Sequence, residues 1–310
     1  MKDSRLPSLA VAIGMLGLCA AAPSSGQTIG QVIEIRSVGD LESVFERYHY
    51  TSKDWHTGVH MVPRLYLAEV PTYWRDTYSK RVPISEKKSL FFRLLAPVAL
   101  YVNERILEDR SRAQALLASE AAGQALAAED REWLADLARI YKTPGASSGA
   151  IDAAEGAELL RRVDAIPLSL ELAQGAVESG WGTSRVADVG NSLFGQWSWS
   201  GGIAPEEQRT DTHGDHRIAA FQSTGLSAWS YALNLNTHDA YADFRRKRAE
   251  QREHGQLPRG HDLVETMGRY SERGHHYVAE LKTIMRQNKL DSIDDSKLVE
   301  MEIVQLVLVN

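Results

Sequence analysis

The stretch Val177–Trp197, VESGWGTSRVADVGNSLFGQW, sets an acid, Glu178, at the end of an apolar segment and directly before Ser179, Gly180 and Trp181. A carboxyl group in that position has two chemistries open to it. In water it is an ionised surface group, or a partner for a cation such as Arg185. In a dry setting it keeps its proton near neutral pH and can hand it to a leaving oxygen. Read as a helix over Pro167–Ser179, the segment puts Leu170, Ala173 and Val177 on one face and Leu168, Leu172 and Ala176 on the next. Only a narrow strip carries Glu171, Gln174 and Glu178, so such a helix is buried around most of its circumference. Glu178 then falls in the last turn, where burial and the negative end of the helix dipole both disfavour the ionised form. Gly180 and Gly182 end the helix and leave room beside the acid. Helix ends more often carry solvated or ion-paired glutamates, so the pattern alone leaves both readings of Glu178 open. Glu171, on the same strip, reads as exposed or salt-bridged.

Aromatic residues crowd the same region. Four of the seven tryptophans, Trp181, Trp197, Trp199 and Trp229, lie within residues 181–229. Indole faces stack on apolar surfaces such as sugar rings, and the indole N–H suits a wet cleft. Trp229, inside the helical LSAWSYAL, reads as core; Trp197 and Trp199, on a Gly/Ser-rich turn, read as groove residues.

These groups need elements to hold them. Upstream, apolar residues recur at helical spacing from Leu90 to Leu107, with Ser85 as the expected N-cap and Pro97 expected to kink or split the helix. A second helix is expected over Glu129–Tyr141, and KTPGASSGAIDAAEG reads as a linker. Residues 28–60 show mixed periodicity and read as a surface wrap. Residues 192–222 break the helical pattern with glycines and the alternating HRIAAF, which predicts a small hairpin. Helices resume after Gly225 and run to about residue 290. The tail, 291–310, reads as a short terminal strand without chemistry. The expected fold class is mainly α (α+β), divided into 1–26, a helical N-terminal region 27–150, a main domain 151–290 and the tail 291–310.

The segment LAQGAVESGWGTSRVADVGNSLFGQW resembles the glucosaminidase family of bacterial cell-wall hydrolases, glycoside hydrolase family 73, and within it the Bax-like branch. The similarity extends through HRIAAFQSTGLSAWSYALNLNTHDAY to YSERGHHYVAELKTIM and reaches back to EKKSLFFRLLAPVALYVNERI, covering about residues 60–290. That resemblance implies a lysozyme-like helical domain with a small β-hairpin lobe beside a glycan groove, preceded by a helical N-terminal extension. It implies hydrolysis of the β-1,4 bond after N-acetylglucosamine in peptidoglycan, with glycan strands as partner. Glu178 matches the family's general acid, Tyr277 the tyrosine near it, and Asn191, Phe194 and the rest of LFGQW the groove floor; Tyr270 precedes Tyr277 in the same motif. Trp181, Trp197 and Trp199 join the expected substrate contacts. Glycosidases commonly use a second carboxylate. The hairpin offers Glu206, Glu207, Asp211 and Asp215. Glu206 and Glu207 are the leading candidates, unless the substrate's own 2-acetamido group takes the role. A lytic transglycosylase of the same fold, which releases an anhydro sugar, and a non-catalytic wall-binding protein are the alternatives.

Composition sets the outer bounds. Hydrophobic and charged fractions of 43% and 25% describe a globular chain, and a net charge of -6 gives no sign of a nucleic-acid partner. Lys2 and Arg5 followed by the apolar LPSLAVAIGMLGLCAAA and then small residues read as a secretory signal peptide, cleaved between Ala21 and Gln27, with an uncleaved anchor as the alternative. After cleavage no membrane span is expected, and the location is the periplasm or cell envelope. The only cysteine, Cys19, lies in this leader. Neither a cofactor nor a metal is expected. HGDH (His213–His216) has ligand-like spacing but no supporting cluster. The basic run RRKRAEQR (Arg245–Arg252) reads as a solvated helix face that could attract an anionic polymer.

Overall fold

A computed structural model of the chain describes residues 29–58, 60–72, 74–145, 151–198, 201–204 and 217–309. The leader, Cys19, Trp199, Glu206, Glu207, Asp211, Asp215 and HGDH lie outside the described residues. Strand β1 (Ile29–Ile35) is followed by helices α1 (Val38–Arg47) and α2 (Ser52–Gly58), then by strands β2 (Met61–Val62) and β3 (Leu65–Leu67). Ser37 caps α1 by accepting from the Asp40 N–H at 3.1 Å. Residues 28–60 are therefore more than a surface wrap: Leu41, Val44, Phe45, Tyr50 and Trp55 enter the core.

After the short α3 (Ser79–Arg81), helix α4 runs unbroken over Ile84–Ala121. Its N-cap is Pro83 rather than Ser85. Pro97 lies inside it and does not divide it. A proline removes one i→i−4 hydrogen bond, but here Leu90 to Ile106 are sheathed by neighbouring elements, and packing outweighs the local defect. Helix α5 (Ala128–Ile140) follows, then α6 (Ala153–Arg162), whose start is a capping box between Asp152 and Glu155.

Helix α7 (Leu168–Ser179) carries Glu178. It crosses α4 at Gly175, where an added Cβ would lie 2.8 Å from Leu95 Cδ2 and 3.3 Å from Phe194. The absent side chain lets the two helices approach this closely. A single buried cluster joins residues from both sides of residue 150. Next come α8 (Arg185–Gly190), the antiparallel pair β4 (Trp197–Ser198) and β5 (Arg217–Ile218), α9 (Thr224–Thr237), α10 (Ala242–Glu253), α11 (Gly260–Leu263) and α12 (His275–Gln287). The expected hairpin is present, widened by an Ile203–Ile218 bridge.

The tail does more than end the chain. Strands β6 (Lys297–Leu298) and β7 (Ile303–Leu308) pair in parallel with β2 and with both β1 and β3, so β7 is the central strand of a β1-β7-β3 sheet. Parallel neighbours need long connections, and here almost the whole domain serves as one. The architecture is mainly α with small sheets.

The basic run is a second correction. Arg245 and Arg248 are buried rather than solvated. Arg245 donates to the Leu235 and His238 carbonyls at 3.0 and 2.8 Å, satisfying acceptors at the end of α9. Arg248 donates to the Asp164, Ala165 and Arg161 carbonyls, each at 3.1 Å. Arg252 grips the buried Asp164 carboxylate at 2.8 and 3.0 Å. The run is half structural because its long stems reach exposed carbonyls of neighbouring loops.

Candidate active site

The acid is held by the way α7 ends. Gly180 takes the left-handed conformation, φ +55°, and the Trp181 N–H closes on the Ala176 carbonyl at 2.9 Å. Ser179 clamps the turn: its hydroxyl donates to the Gly175 carbonyl at 2.6 Å and accepts from the Gly182 N–H at 2.8 Å. Glu178 is half-buried at this end. Gly195 comes against it with φ +61°, and a Cβ there would lie 2.8 Å from Glu178 Oε2. Only glycine gives both that backbone conformation and that approach.

A hydrogen-bonded chain backs the acid. Tyr231 donates its hydroxyl proton to Gln174 Oε1 at 2.8 Å, and Gln174 Nε2 donates to the Tyr277 hydroxyl at 3.0 Å. With its oxygen accepting from Gln174, Tyr277 has its own proton free for Glu178. Burial pushes the Glu178 carboxyl above the ordinary range; the Tyr277 donor and the Arg273 charge oppose the rise, and Glu280 adds to it. Arg273 pairs with Glu280 at 2.6 Å and lies 5.4 Å from the Tyr277 ring centre. Tyrosines surround the group. Tyr270 stacks on Tyr277 with centres 5.8 Å apart, and Tyr231 and Tyr241 pack edge-on or tilted against Tyr270. Burial pushes the Tyr241 phenol up to about 12, so it stays neutral beside the acid.

Several sequence expectations fall differently here. Tyr270 is half-buried and donates to the Phe194 carbonyl at 2.8 Å. Phe194 is fully buried and stacks on Tyr231 at 4.2 Å, so its ring supports the site from behind. Asn191 is buried: its Oδ1 accepts from the Val70 N–H at 2.7 Å and its Nδ2 donates to the Phe221 carbonyl at 3.1 Å. Those bonds use the amide to tether two loops to the hairpin base. Trp181 packs edge-on against Phe92 and Phe91, at 5.2 and 5.8 Å, which turns its ring toward α4. Trp229 is core, as its helix suggested. Among the described residues of the hairpin, Trp197 is an open aromatic, 58% exposed.

Glu171 departs furthest. It is neither exposed nor salt-bridged but wholly buried, with no partner among the described residues for either carboxylate oxygen, and burial pushes it up to about 8. The strip seen in the sequence is real; neighbouring elements cover it as well as the apolar faces. Gln174, Gly195 and Tyr231 carry the geometry of the site; the sequence marked Gln174 by its place on the strip and Gly195 by its place in LFGQW, but offered no signal for Tyr231.

The arrangement is that of a carboxyl group that holds its proton more tightly than in water, in a partly dry setting, oriented by a phenol, with the Gly195 backbone beside it. Such a group donates a proton to a leaving oxygen. The profile of the glucosaminidase family, described as mannosyl-glycoprotein endo-beta-N-acetylglucosaminidase, matches residues 153–290. "Protein bax" of Escherichia coli (strain K12) is 32% identical over 203 residues, which cover 66% of this chain and 70% of that protein. The chain belongs to the glucosaminidase family, in its Bax-like branch. No solved structure matches it. The family match begins at the first residue of α6 and ends three residues beyond α12, so it takes in Glu178, the hairpin and Tyr277. The relative's match is longer than the family profile, so the likeness to Bax extends beyond that domain. This glucosaminidase is accordingly a glycosidase in class, with a peptidoglycan-related substrate. Among its described residues no group of three His, Cys, Asp or Glu could hold a metal, and no helix is long and apolar enough to cross a membrane.

Proposed function

We propose that this glucosaminidase is an exported peptidoglycan hydrolase, an endo-β-N-acetylglucosaminidase that cuts the β-1,4 bond after N-acetylglucosamine in the periplasm or cell envelope. Glu178 is its general acid. One observation carries the reading: a carboxyl group whose burial raises its pKa stands beside the Tyr277 phenol and the bare backbone of Gly195. Protonation of the glycosidic oxygen lets the C1–O bond break, and water supplies hydroxyl to C1 and a proton back to the enzyme. Tyr277 orients the acid and restrains its pKa. Trp197 offers a face for a sugar ring, and Glu206 or Glu207 on the hairpin serves as second carboxylate. The resemblance of the leader to a signal peptide supports export.

The test uses purified sacculi digested by wild type and by Glu178→Gln. Wild type should release fragments with N-acetylglucosamine at a reducing end that has gained water, and the variant should lose at least about a thousand-fold in rate while keeping its fold. Anhydro-sugar ends would identify a transglycosylase. Turnover by the variant close to wild type would remove Glu178 from the chemistry.

A further inference from the structure

A cavity of about 330 Å³ lies outside the acid's surroundings, between α2, the start of α4 and the end of α12. Its size is that of a small-ligand pocket. Trp55 lines an apolar wall, backed by the buried Phe92 stacked on it with centres 6.1 Å apart; Ser85, Lys88, His56 and Gln287 supply polar groups. Lys88 is the key group. The residue is half-buried, and its ammonium is held 4.8 Å from the centre of the Trp181 ring. Among the described residues it has no acidic partner, whereas the next cation along the helix, Arg93, is gripped by Glu42 at 2.6 and 3.0 Å. His56 Nδ1 lies 2.6 Å from the Ser52 carbonyl, so it is the donor there and Nε2 faces away from that bond.

A fixed cation, an apolar wall and a mixture of amide and imidazole groups fit a small molecule with a carboxylate, peptide groups and short apolar side chains. Trp181 connects this cavity to the site. It follows Glu178 by three residues, and its ring touches both Lys88 and Phe92 of the cavity lining. Along α12, Tyr277 and Gln287 are separated by about 15 Å at the helical rise of 1.5 Å per residue. At roughly 3.3 Å per extended residue, a peptide of about five residues covers that distance, so a stem attached to a sugar beside Glu178 reaches the cavity. We propose that this cavity binds the carboxylate-bearing peptide stem of the glycan, with Lys88 on the carboxylate and the Trp55 edge against the side chains. The inference rests on the peptidoglycan reading of the Glu178 site and adds a stem preference to it.

Calorimetric titration of the full chain with the synthetic tripeptide L-alanyl-γ-D-glutamyl-L-lysine tests this directly. Wild type should bind, more weakly as salt rises. Lys88→Met should weaken binding at least ten-fold, about 1.4 kcal/mol. Lys88→Arg should retain most of the affinity, and Lys80→Met, which alters an exposed pair with Asp76, should match wild type. Gln287→Leu, at an exposed position, should weaken binding without risk to the fold. No binding by wild type, equal binding by Lys88→Met, or preference for free N-acetylmuramic acid over the tripeptide would overturn the inference. The tripeptide has no glycosidic bond, so its binding is read whether or not the protein cleaves glycan. A protein that hydrolyses sacculi yet ignores the tripeptide loses only this inference.

Discussion

Glu171 provides a quantitative test of burial. It is fully buried, has no hydrogen-bond partner among the described residues on either oxygen, and is pushed up to about 8 because its charged form would be stranded in a dry core. In the unfolded chain the same group titrates near its ordinary 4.5. The folded state therefore holds this proton more tightly. Its stability from this group is complete below pH 4.5 and falls as pH rises, until the folded group also ionises near 8. At about 1.36 kcal/mol per pH unit, the span from 4.5 to about 8 amounts to a loss of about 5 kcal/mol. That is a large part of the stability of an ordinary domain. Glu171→Gln keeps the volume and removes the charge, so the variant lacks this loss. Melting temperatures of the two proteins should agree within a few degrees at pH 4.5. They should then diverge, with the variant higher by on the order of 10 °C at pH 8.5. Taking the difference cancels every titration the proteins share, including that of Glu178. A difference that stays constant from pH 4.5 to 8.5 would refute the reasoning, because it would mean that Glu171 ionises alike in both states.

Two further outcomes concern the acid itself. Tyr277→Phe removes a donor that favours the ionised form of Glu178, so the acid's pKa rises further; the alkaline limb of the pH–rate profile should move to higher pH while the maximal rate falls about ten-fold or more. Gly195→Ala forces a left-handed alanine and puts its Cβ 2.8 Å from Glu178 Oε2, so kcat/KM on sacculi should drop at least about ten-fold, with a stability loss of about 1–2 kcal/mol measured by denaturant unfolding.

The sequence determined what short-range chemistry can determine. The apolar faces of LSLELAQGAVES, the glycine that stops it and the acid in its last turn are local facts, and helix α7 follows from them. The hairpin near Trp197 and the helical period from Leu90 onward were legible for the same reason. Tertiary structure decided the rest. Pro97 does not divide α4 because flanking elements hold the helix on both sides of it. Glu171 and Glu178 share one strip and one residue type, yet the first is sealed in the core and the second only half covered. Arg248 looks like any surface arginine until three carbonyls from another segment meet it. The tail becomes a central strand only because the other end of the chain returns beside it. A sequence records how each residue is spaced from its neighbours along the chain. Burial, and with it the charge a carboxyl group can bear, depends on residues a hundred positions away.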